Sequence, residues 1–488
     1  MASEETVVIS RAEYERFRSL ESTVSVLKHQ LAELQRLIFG AKSERFISSA
    51  ELATGNLFEI PAVEPVQKPI EEISYTRNKP EDKKQPLRLE LPAHLPRQVE
   101  VIEPENLPED AKKIGEAITE VLDYRPADLH VRHIIRPKYI ISSSDEQTEI
   151  IIADLPTLPI PKGNAGAGLL AHILINKFVD HLPFYRQVQI FKRQNVTIAE
   201  STITGWFNAS CNLLEPLYQA LKSKITATDY LMADETPIPV LTKDKPGATH
   251  KGYHWVYYDP VNKRVLFDYQ KTRGREGPEE FLKNFSGHLQ TDGYTAYTNL
   301  KNTSIVLLAC MAHARRKFEH ALDNDPQRAE FALSKIRQLY RIEEHIREQQ
   351  LSTDDIKAIR HEKSLPILLE METWLRTGIL EVLPKSAIGI AFAYTLNLWP
   401  RLARYIEDGR FFIDNNLIEN SIRPVALGRK NYLFAGSHEA AQQAAILYSL
   451  LACCKINNVE PFAWLKRTLE IIPDYPANQL HNLLPGKM

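Results

Sequence analysis

The chain has 488 residues, of which 43% are hydrophobic and 25% are charged, and its formal net charge is −2. This length exceeds what one hydrophobic core can hold, so we expect roughly three or four structural units. A near-neutral charge excludes binding to nucleic acid through bulk charge. Any contact with DNA therefore has to come from local basic patches.

The cysteines and the apolar stretches indicate where the protein resides. Cys211, Cys310, Cys453 and Cys454 are too few and too unevenly spaced for a disulfide framework, which is typical of a reducing compartment. No stretch approaches the ~20 apolar residues of a membrane span. The acidic start "MASEETVVIS" lacks the features of a signal peptide. We therefore expect a cytoplasmic protein with no membrane partner.

Apolar residues near the N-terminus recur at alternating steps of three and four, namely at Phe17, Leu20, Val24, Leu27, Leu31, Leu34 and Ile38. This is the seam of a coiled coil, and it predicts a homodimer or higher oligomer held together through residues 10–46. An amphipathic helix that folds onto its own chain is the alternative. Residues 47–86 are rich in proline and charge and are predicted to be a flexible linker.

The next two segments differ in their hydrophobic pattern. Residues 87–154 contain the alternating stretch "LHVRHIIRPKYII", which predicts strands in a small domain. Residues 163–225 are predicted to be helical and to resemble a helix-turn-helix, with a turn near Asn195 and a short second helix over 199–207 that Thr197 or Ser201 could cap. An ordinary helical hairpin is the alternative.

Residues 226–430 begin with strand signals and end with helical ones. We predict strands in "DYLMADETPIPVL", two in "GYHWVYYDPVNKRVLFDYQ", one in "GHLQTDGYTAY", and a strand leading into a helix in "SIVLLACMAHARRKF". The stretch at about 320–408 is predicted to be a helical insertion, and "IDNNLIENSIRP" follows it as a further helix. Residues 436–475 are predicted to form a C-terminal helical domain.

Three acidic residues fall at informative places in this order. Asp234 is predicted at the end of a first strand, Asp292 at the end of a fourth, and Glu419 on the later helix. A ribonuclease-H-like site has this arrangement, in which three carboxylates converge on two Mg²⁺ ions. Each acid alone has a simpler interpretation: a strand-end cap for Asp234, an Asp-Gly turn for Asp292, and a surface helix start capped by Asp414 for Glu419.

The stretches "MADETPIPV", "QTDGYTAY", "CMAHARRKF", "DNNLIENSIRPVALGRKNYLFAGS" and "AAILYSLLACCKINNVEPFAWL" resemble the bacterial DDE transposases of the insertion sequence 66 family. The resemblance implies an α/β fold with a ribonuclease-H-like catalytic core and an α-helical insertion, preceded by an N-terminal coiled coil and a small degenerate zinc-finger-like unit. It implies that Asp234, Asp292 and Glu419 are the catalytic and metal-binding residues.

The resemblance also implies an activity. Family members cut DNA at the terminal inverted repeats of their element and join the freed 3′ ends to target DNA. They use two Mg²⁺ ions, for which Mn²⁺ can substitute, and act with accessory proteins of the same element. Double-stranded DNA is therefore the expected partner of this chain.

The predicted zinc-finger-like unit departs from the family pattern. The paired cysteines that the family carries before "IGE" and after "RPKY" are absent from "ENLPEDAKKIGE" and "RPKYIISSSDEQ". Serine and carboxylate groups replace thiolates poorly in a tetrahedral zinc site, so we expect no zinc. His94, His130 and His133 could bind a metal, but isolated histidines among strands are more often surface or packing residues.

Basic and amide side chains near the acids and in the helix-turn-helix-like segment are predicted to contact DNA. These residues are Arg186, Lys192, Arg193, His313, Arg315, Arg316, Lys317, Asn415, Asn416, Arg423, Arg429 and Lys430. Pro424 is expected to limit the helix so that "GRKN" turns back towards the site. A solvated charge run is the alternative for the basic residues.

Two other functions share many of these features. A non-catalytic dimeric DNA-binding protein derived from a transposase would keep the coiled coil and the helix-turn-helix without needing the acids. A related two-metal DNA nuclease would keep the acids without joining DNA strands.

Overall fold

The computed structural model describes residues 91, 93–104, 108, 111–125, 128–142, 148–242, 247–349 and 351–486. The chain divides into two units after Pro86, and the described residues all belong to the second, Leu87–Met488. The predicted coiled coil at 10–46 and linker at 47–86 lie outside the described residues.

The second unit begins with a four-stranded sheet. Its strands are β1 (Arg97–Val101), β2 (Lys112–Arg125), β3 (Asp128–Ser142) and β4 (Thr148–Ile152). β3 pairs antiparallel with β2 along one edge, and with β1 (parallel) and β4 (antiparallel) along the other. The predicted strand in "LHVRHIIRPKYII" is therefore present. Leu122 of β2 hydrogen-bonds through its backbone to Asn164 and Gly166, which attaches the sheet to the helices that follow.

Three helices connect this sheet to the next, namely α1 (Ala167–Phe178), α2 (Phe184–Arg193) and α3 (Glu200–Thr226). The turn predicted near Asn195 is present, and Asn195 has a φ of 58°. The predicted length of the second helix is wrong, because α3 runs for 27 residues. Its apolar residues continue to Ile225, and Tyr218 donates a hydrogen bond to the Phe267 carbonyl at 2.9 Å. Ala199 precedes α3 without a side-chain cap, so the predicted caps are also wrong.

A five-stranded sheet forms the centre of the unit. Its strands are β5 (Tyr230–Leu241), β6 (Thr249–Asp259), β7 (Arg264–Gln270), β8 (Gly287–Thr291) and β9 (Ile305–Ala309), with the short helices α4 (Glu276–Phe281) and α5 (Thr295–Thr298) between them. The spatial order is β7-β6-β5-β8-β9. β5, β6 and β7 are antiparallel, whereas β8 and β9 run parallel to β5. The chain thus folds as a mixed α/β protein.

Helices fill the stretch that was predicted to be helical after this sheet. They are α6 (Met311–Glu319), α7 (Pro326–Glu348), α8 (Thr353–Ile359), a π-helical turn (Arg360–Ser364), α9 (Leu365–Gly378) and α10 (Ala387–Ala403), followed by a 3₁₀ turn (Arg404–Glu407). A buried ion pair holds them together. Arg360 donates to both carboxylate oxygens of Glu343, at 2.9 and 2.7 Å, and to the carbonyls of Tyr405, Asp408 and Phe411.

The chain then returns to the central sheet through α11 (Asn416–Tyr432), α12 (His438–Ile456) and α13 (Pro461–Ile471), and ends in 3₁₀ turns. α12 is buried along most of its length, and its Ser449 hydroxyl accepts the Phe267 backbone N–H of β7 at 2.8 Å. The predicted limit at Pro424 is wrong, because α11 continues through it. Asn420, whose carbonyl loses its helical partner there, is an exposed residue.

Among the described residues, none of the helices combines the length and the apolar character needed to cross a membrane.

Candidate active site

Two of the three predicted acids lie where the pairing of two parallel strands ends. Asp234 is within β5, so its predicted position at a strand end is wrong. The pairing of β5 with β8 extends only as far as Met232–Gln290. Asp234 follows Met232 by two residues, and Asp292 directly follows Thr291, the last residue of β8. The end of this pairing therefore brings both acids to one edge of the sheet.

Asp292 is held by the backbone and by a helix of the insertion. Its carboxylate accepts the backbone N–H of Tyr294 at 2.8 Å, and its carbonyl accepts the hydroxyl of Tyr394 on α10 at 2.7 Å. Gly293 has a φ of +93°, and a Cβ there would meet the Leu398 side chain at 2.7 Å. The turn after β8 therefore requires glycine, and it fixes Asp292 against the insertion.

Glu419 lies in the first turn of α11, and the start of this helix is fixed by the insertion. The Tyr340 hydroxyl of α7 donates to Asp414 at 2.7 Å, and Asp414 in turn accepts the backbone N–H of Asn416 at 3.0 Å. The backbone N–H of Met311 donates to the Ile413 carbonyl at 3.0 Å. These contacts set where the helix starts and hence where Glu419 lies.

The acids act on one another electrostatically. Burial, followed by the charges of Glu235, Asp292 and Glu419, raises the pKa of Asp234 to about 8. Glu235 has a cationic partner, because Arg273 donates to it at 2.8 Å. In the described part of the chain, Asp234 forms no ion pair, and its carboxylate accepts only the backbone N–H of Glu235 at 2.7 Å. No cation of the described part therefore offsets its negative charge when it ionises.

Glu419 is bound by a cation from α6. The Arg316 guanidinium donates to both of its carboxylate oxygens, at 2.8 and 3.2 Å. Arg316 also lies 3.3 Å from Nε2 of His313. Burial and then the charge of Arg316 lower the pKa of His313, although Asp292 and Glu419 act in the opposite direction. α6 therefore contributes a positive charge and a neutral imidazole to the edge of the acidic cluster.

The three carboxylates are oxygen ligands of the kind that Mg²⁺ binds. As the side chains stand, no three His, Cys, Asp or Glu residues of the described part converge closely enough to hold a metal ion. Glu419 is instead bound by Arg316. The donor set of three carboxylates has the chemistry of a divalent-cation site, and Glu419 would have to leave Arg316 to join it.

The predicted DNA contacts fall into three groups. Exposed residues are Arg186, Lys192 and Arg193 on α2, Arg315, Arg316 and Lys317 on α6, and Asn416, Arg423 and Lys430 on α11, whereas His313 is half-buried. Asn415 is fully buried, so its predicted contact with DNA is wrong; it is the residue directly before α11. Arg429 is half-buried and donates to the Pro237 carbonyl, which ties α11 to β5.

The histidines of the first sheet do not form a site as they stand. His94 Nε2 lies 3.2 Å from the Gln194 carbonyl, and His130 is buried in β3. No described cluster that could hold a metal ion contains them.

Three residues at the site were missed by the sequence reasoning. Glu235 is adjacent to Asp234 in "ADETP", and this pair of acids was a usable signal. Arg273, which neutralises Glu235, and Tyr394, which holds Asp292, come from distant segments without a motif. Only the fold brings them to the acids.

Comparisons with known proteins agree with one another over most of the chain. The model of the family described as "Transposase IS66 family" matches residues 162–443. The "IS66 C-terminal element" matches residues 449–485, and "Transposase C of IS166 homeodomain" matches residues 26–99.

Similar proteins occur in Sinorhizobium fredii (strain NBRC 101917 / NGR234). The uncharacterized protein y4jD is 32% identical over 96% of this chain and 95% of its own length. The uncharacterized protein y4qI is 33% identical over 99% of this chain and 93% of its own length. Because the transposase family matches more than half of the chain, and these relatives are similar over nearly all of it, the chain belongs to the IS66 family of transposases.

Proposed function

We propose that the protein binds the terminal inverted repeats of an insertion sequence, cleaves the DNA there and transfers the 3′ ends to target DNA. The observation that carries this proposal is the placement of Asp234 and Asp292 at the end of the β5–β8 pairing, with Glu419 close enough to act on Asp234 electrostatically. The order of the central sheet supports it, because three antiparallel strands followed by two parallel ones are what a ribonuclease-H-like core has. Membership of the transposase family supports it further.

In this proposal Asp234, Asp292 and Glu419 would hold two Mg²⁺ ions, for which Mn²⁺ can substitute. When bound, the ions supply an activated water and stabilise the entering and leaving oxygens of a phosphodiester exchange. Tyr394 keeps Asp292 in place, and α11 presents Glu419. Once Glu419 is released, Arg316 becomes available to a DNA phosphate, because a guanidinium matches phosphate as well as carboxylate.

The DNA would lie across α6 and α11. Arg315, Lys317, Arg423 and Lys430 are exposed there and are suited to the phosphate backbone. Arg186, Lys192 and Arg193 of α2 form a second exposed basic group, and the match to a homeodomain at 26–99 supports DNA binding by the first part of the chain. Accessory proteins of the same element and a cytoplasmic location are also part of the proposal.

A strand-transfer assay tests the proposal. Labelled duplexes that carry the element's ends are incubated with the full-length protein, a supercoiled plasmid, and either Mg²⁺ or a chelator. The wild type should join 3′ ends to the plasmid only with Mg²⁺, and Glu419→Gln, which keeps the side chain's size but loses the charge that binds metal, should abolish joining while retaining DNA binding. Asp354→Asn, a change at an exposed acid on α8, is the matched control and should behave as the wild type.

The same assay separates the alternatives. Binding without Mg²⁺-dependent nicking would favour the non-catalytic DNA-binding protein, and nicking without joining would favour the nuclease. If Glu419→Gln joined ends normally whereas Asp414→Asn did not, Asp414 would be the third acid instead of Glu419.

A further inference from the structure

A pocket of about 470 Å³ lies between the end of α1, the middle of α11, α12 and the first residue of α13. We call it the α11 pocket. Its wall is largely apolar and includes Phe178, Phe267, Leu427 and Tyr448. The ring centroids of Phe178 and Tyr448 are 5.2 Å apart, and those of Phe267 and Tyr448 are 5.7 Å apart. These rings are buried against one another and form the floor of the pocket, whereas the apolar side chains at its opening are Leu427 and Val179.

The α11 pocket is open to solvent at its apolar side. Leu427 and Val179 are 43% and 38% exposed, which is unusual for large apolar side chains that lie beside one another. His181 also lines the pocket.

Two cations stand at the pocket. Arg423 and Lys455 line it and are exposed. In the described part of the chain neither forms an ion pair or a side-chain hydrogen bond. The nearby acid is Asp180, whose charge acts on His181 together with that of Lys455. The pocket thus combines an apolar wall with positive charge that has no protein partner, which is complementary to an aromatic ring carrying a phosphate.

The α11 pocket adjoins the acidic cluster along one helix. Arg423 follows Glu419 by four residues, so it lies on nearly the same side of α11, about 6 Å along the axis. Leu427 lies one further turn along. A DNA strand held at Glu419 therefore reaches the pocket within about one or two nucleotides.

From these observations we infer that the α11 pocket binds an unpaired nucleotide at the DNA end, with its base against Leu427 in the apolar opening and its phosphate on Arg423 and Lys455. This inference rests on the proposed function, because it requires DNA to lie at Glu419. Extruding or fraying a terminal base costs a few kcal/mol of stacking and pairing, and burial of the base in an apolar pocket offsets part of that cost.

Fluorescence anisotropy of labelled element ends tests this inference in chelator, where no chemistry occurs. Three ends are compared: fully paired, with an unpaired terminal nucleotide, and with an abasic site at that position. The wild type should bind the unpaired end about tenfold more tightly than the abasic end, because the base buries apolar surface in the pocket. Leu427→Trp fills the pocket from an exposed position and should remove this preference while changing affinity for the paired end by less than about twofold. Leu369→Trp, at a leucine of α9 that is 55% exposed, is the matched control and should keep the preference.

Several outcomes would overturn the inference. One is equal binding of unpaired and abasic ends by the wild type, and another is a preference that survives in Leu427→Trp. A fall in molecular mass by light scattering in Leu427→Trp alone would assign the pocket to a second copy of the chain. Binding is measured without metal, so it is independent of strand transfer. If the wild type joins 3′ ends but shows no preference for the unpaired end, only this inference fails. Absent strand transfer with Mg²⁺ removes the proposed function instead.

Discussion

Asp234 lies where burial and the charges of three neighbouring acids oppose the ionisation of its carboxyl group. Its pKa is about 8 in the folded protein, against an ordinary value of 3.8. The unfolded chain therefore releases this proton first as pH rises. Hence, the free energy of unfolding should fall as pH rises from about 4 to 8. Above about pH 8, the full loss of stability from ionising the buried Asp234 should be present.

Denaturant unfolding in chelator at pH 5.5 and pH 8.5 measures this effect. Asp234→Asn removes the charge, so it should gain stability relative to the wild type, and the gain should be larger at pH 8.5 by on the order of 1–2 kcal/mol. Adding Mg²⁺ at pH 8.5 should stabilise the wild type and not the variant. An equal difference between the two proteins at both pH values would contradict this account.

Arg316 competes with any metal ion for Glu419, since it already donates to both carboxylate oxygens. Arg316→Ala should therefore raise the affinity for Mg²⁺ without DNA, by roughly three- to tenfold given a partly exposed ion pair. Titration calorimetry with the DNA-free protein measures it. Arg315→Ala is the control, because Arg315 pairs with Glu319 instead. If Arg316→Ala bound Mg²⁺ with the affinity of the wild type, Arg316 would not compete with the metal ion for Glu419.

At the scale of residues, the sequence points to candidate acids more readily than it predicts which neighbouring residues are buried. Asp234, Asp292 and Glu419 were predicted from their order along the chain and from motifs, and their catalytic role stays a prediction. Asn415 was assigned to DNA by sequence neighbourhood, but it is fully buried at the start of α11. Helical spacing predicts which residues share a side of a helix, and only tertiary packing decides which side is covered.

Besides the Tyr340–Asp414 hydrogen bond, a buried ion pair in the helical insertion holds the segment before α11. Arg360 and Glu343 have side chains that are only 4% and 7% exposed, and Arg360 also binds carbonyls in the segment that leads to α11. Glu343→Gln should lower the free energy of unfolding by about 3–5 kcal/mol, because it leaves a buried guanidinium uncompensated. Arg376→Ala, which breaks an exposed pair with Glu372, should cost less than about 1 kcal/mol.

The same pair makes a prediction about order at the site. Hydrogen exchange of the first turn of α11 should be faster in Glu343→Gln than in the wild type under native conditions, since the segment before α11 loses its attachment. Arg376→Ala should leave that exchange unchanged. Global loss of stability without a local increase at α11 would mean that the insertion does not position Glu419.

At the scale of elements, period and turn chemistry predicted most of the strands and helices of the central sheet and the insertion. They failed where the chain continued an element for tertiary reasons. α3 extends to Thr226 because its second half packs on β7, and α11 passes through Pro424 because its far end is attached to β5 by Arg429. Helix-breaking residues such as proline predict the end of a helix only when the residues beyond them are not held by tertiary packing.

For the whole molecule, the central sheet determines which distant segments meet. β8 ends early beside β5, the insertion holds the turn after β8, and the same insertion fixes the start of α11. Residues far apart in the sequence are thus coupled through one helical layer. Sequence patterns reveal each segment, but not this coupling, because it depends on contacts made only after folding.

Assembly is the remaining prediction at this scale, and it concerns residues 10–46. A seam of leucine, valine and isoleucine stabilises a helix only when a partner covers it, so the full-length protein should have at least twice the mass of a single chain by light scattering. Leu27→Pro together with Leu31→Pro interrupts the helix and should yield a single chain. Lys68→Pro, in the predicted linker, is the control and should leave the mass unchanged. If the double variant kept the wild-type mass, the coiled-coil prediction would be wrong. The heptads would then have to pack on their own chain, and any interface between chains would have to come from the second unit.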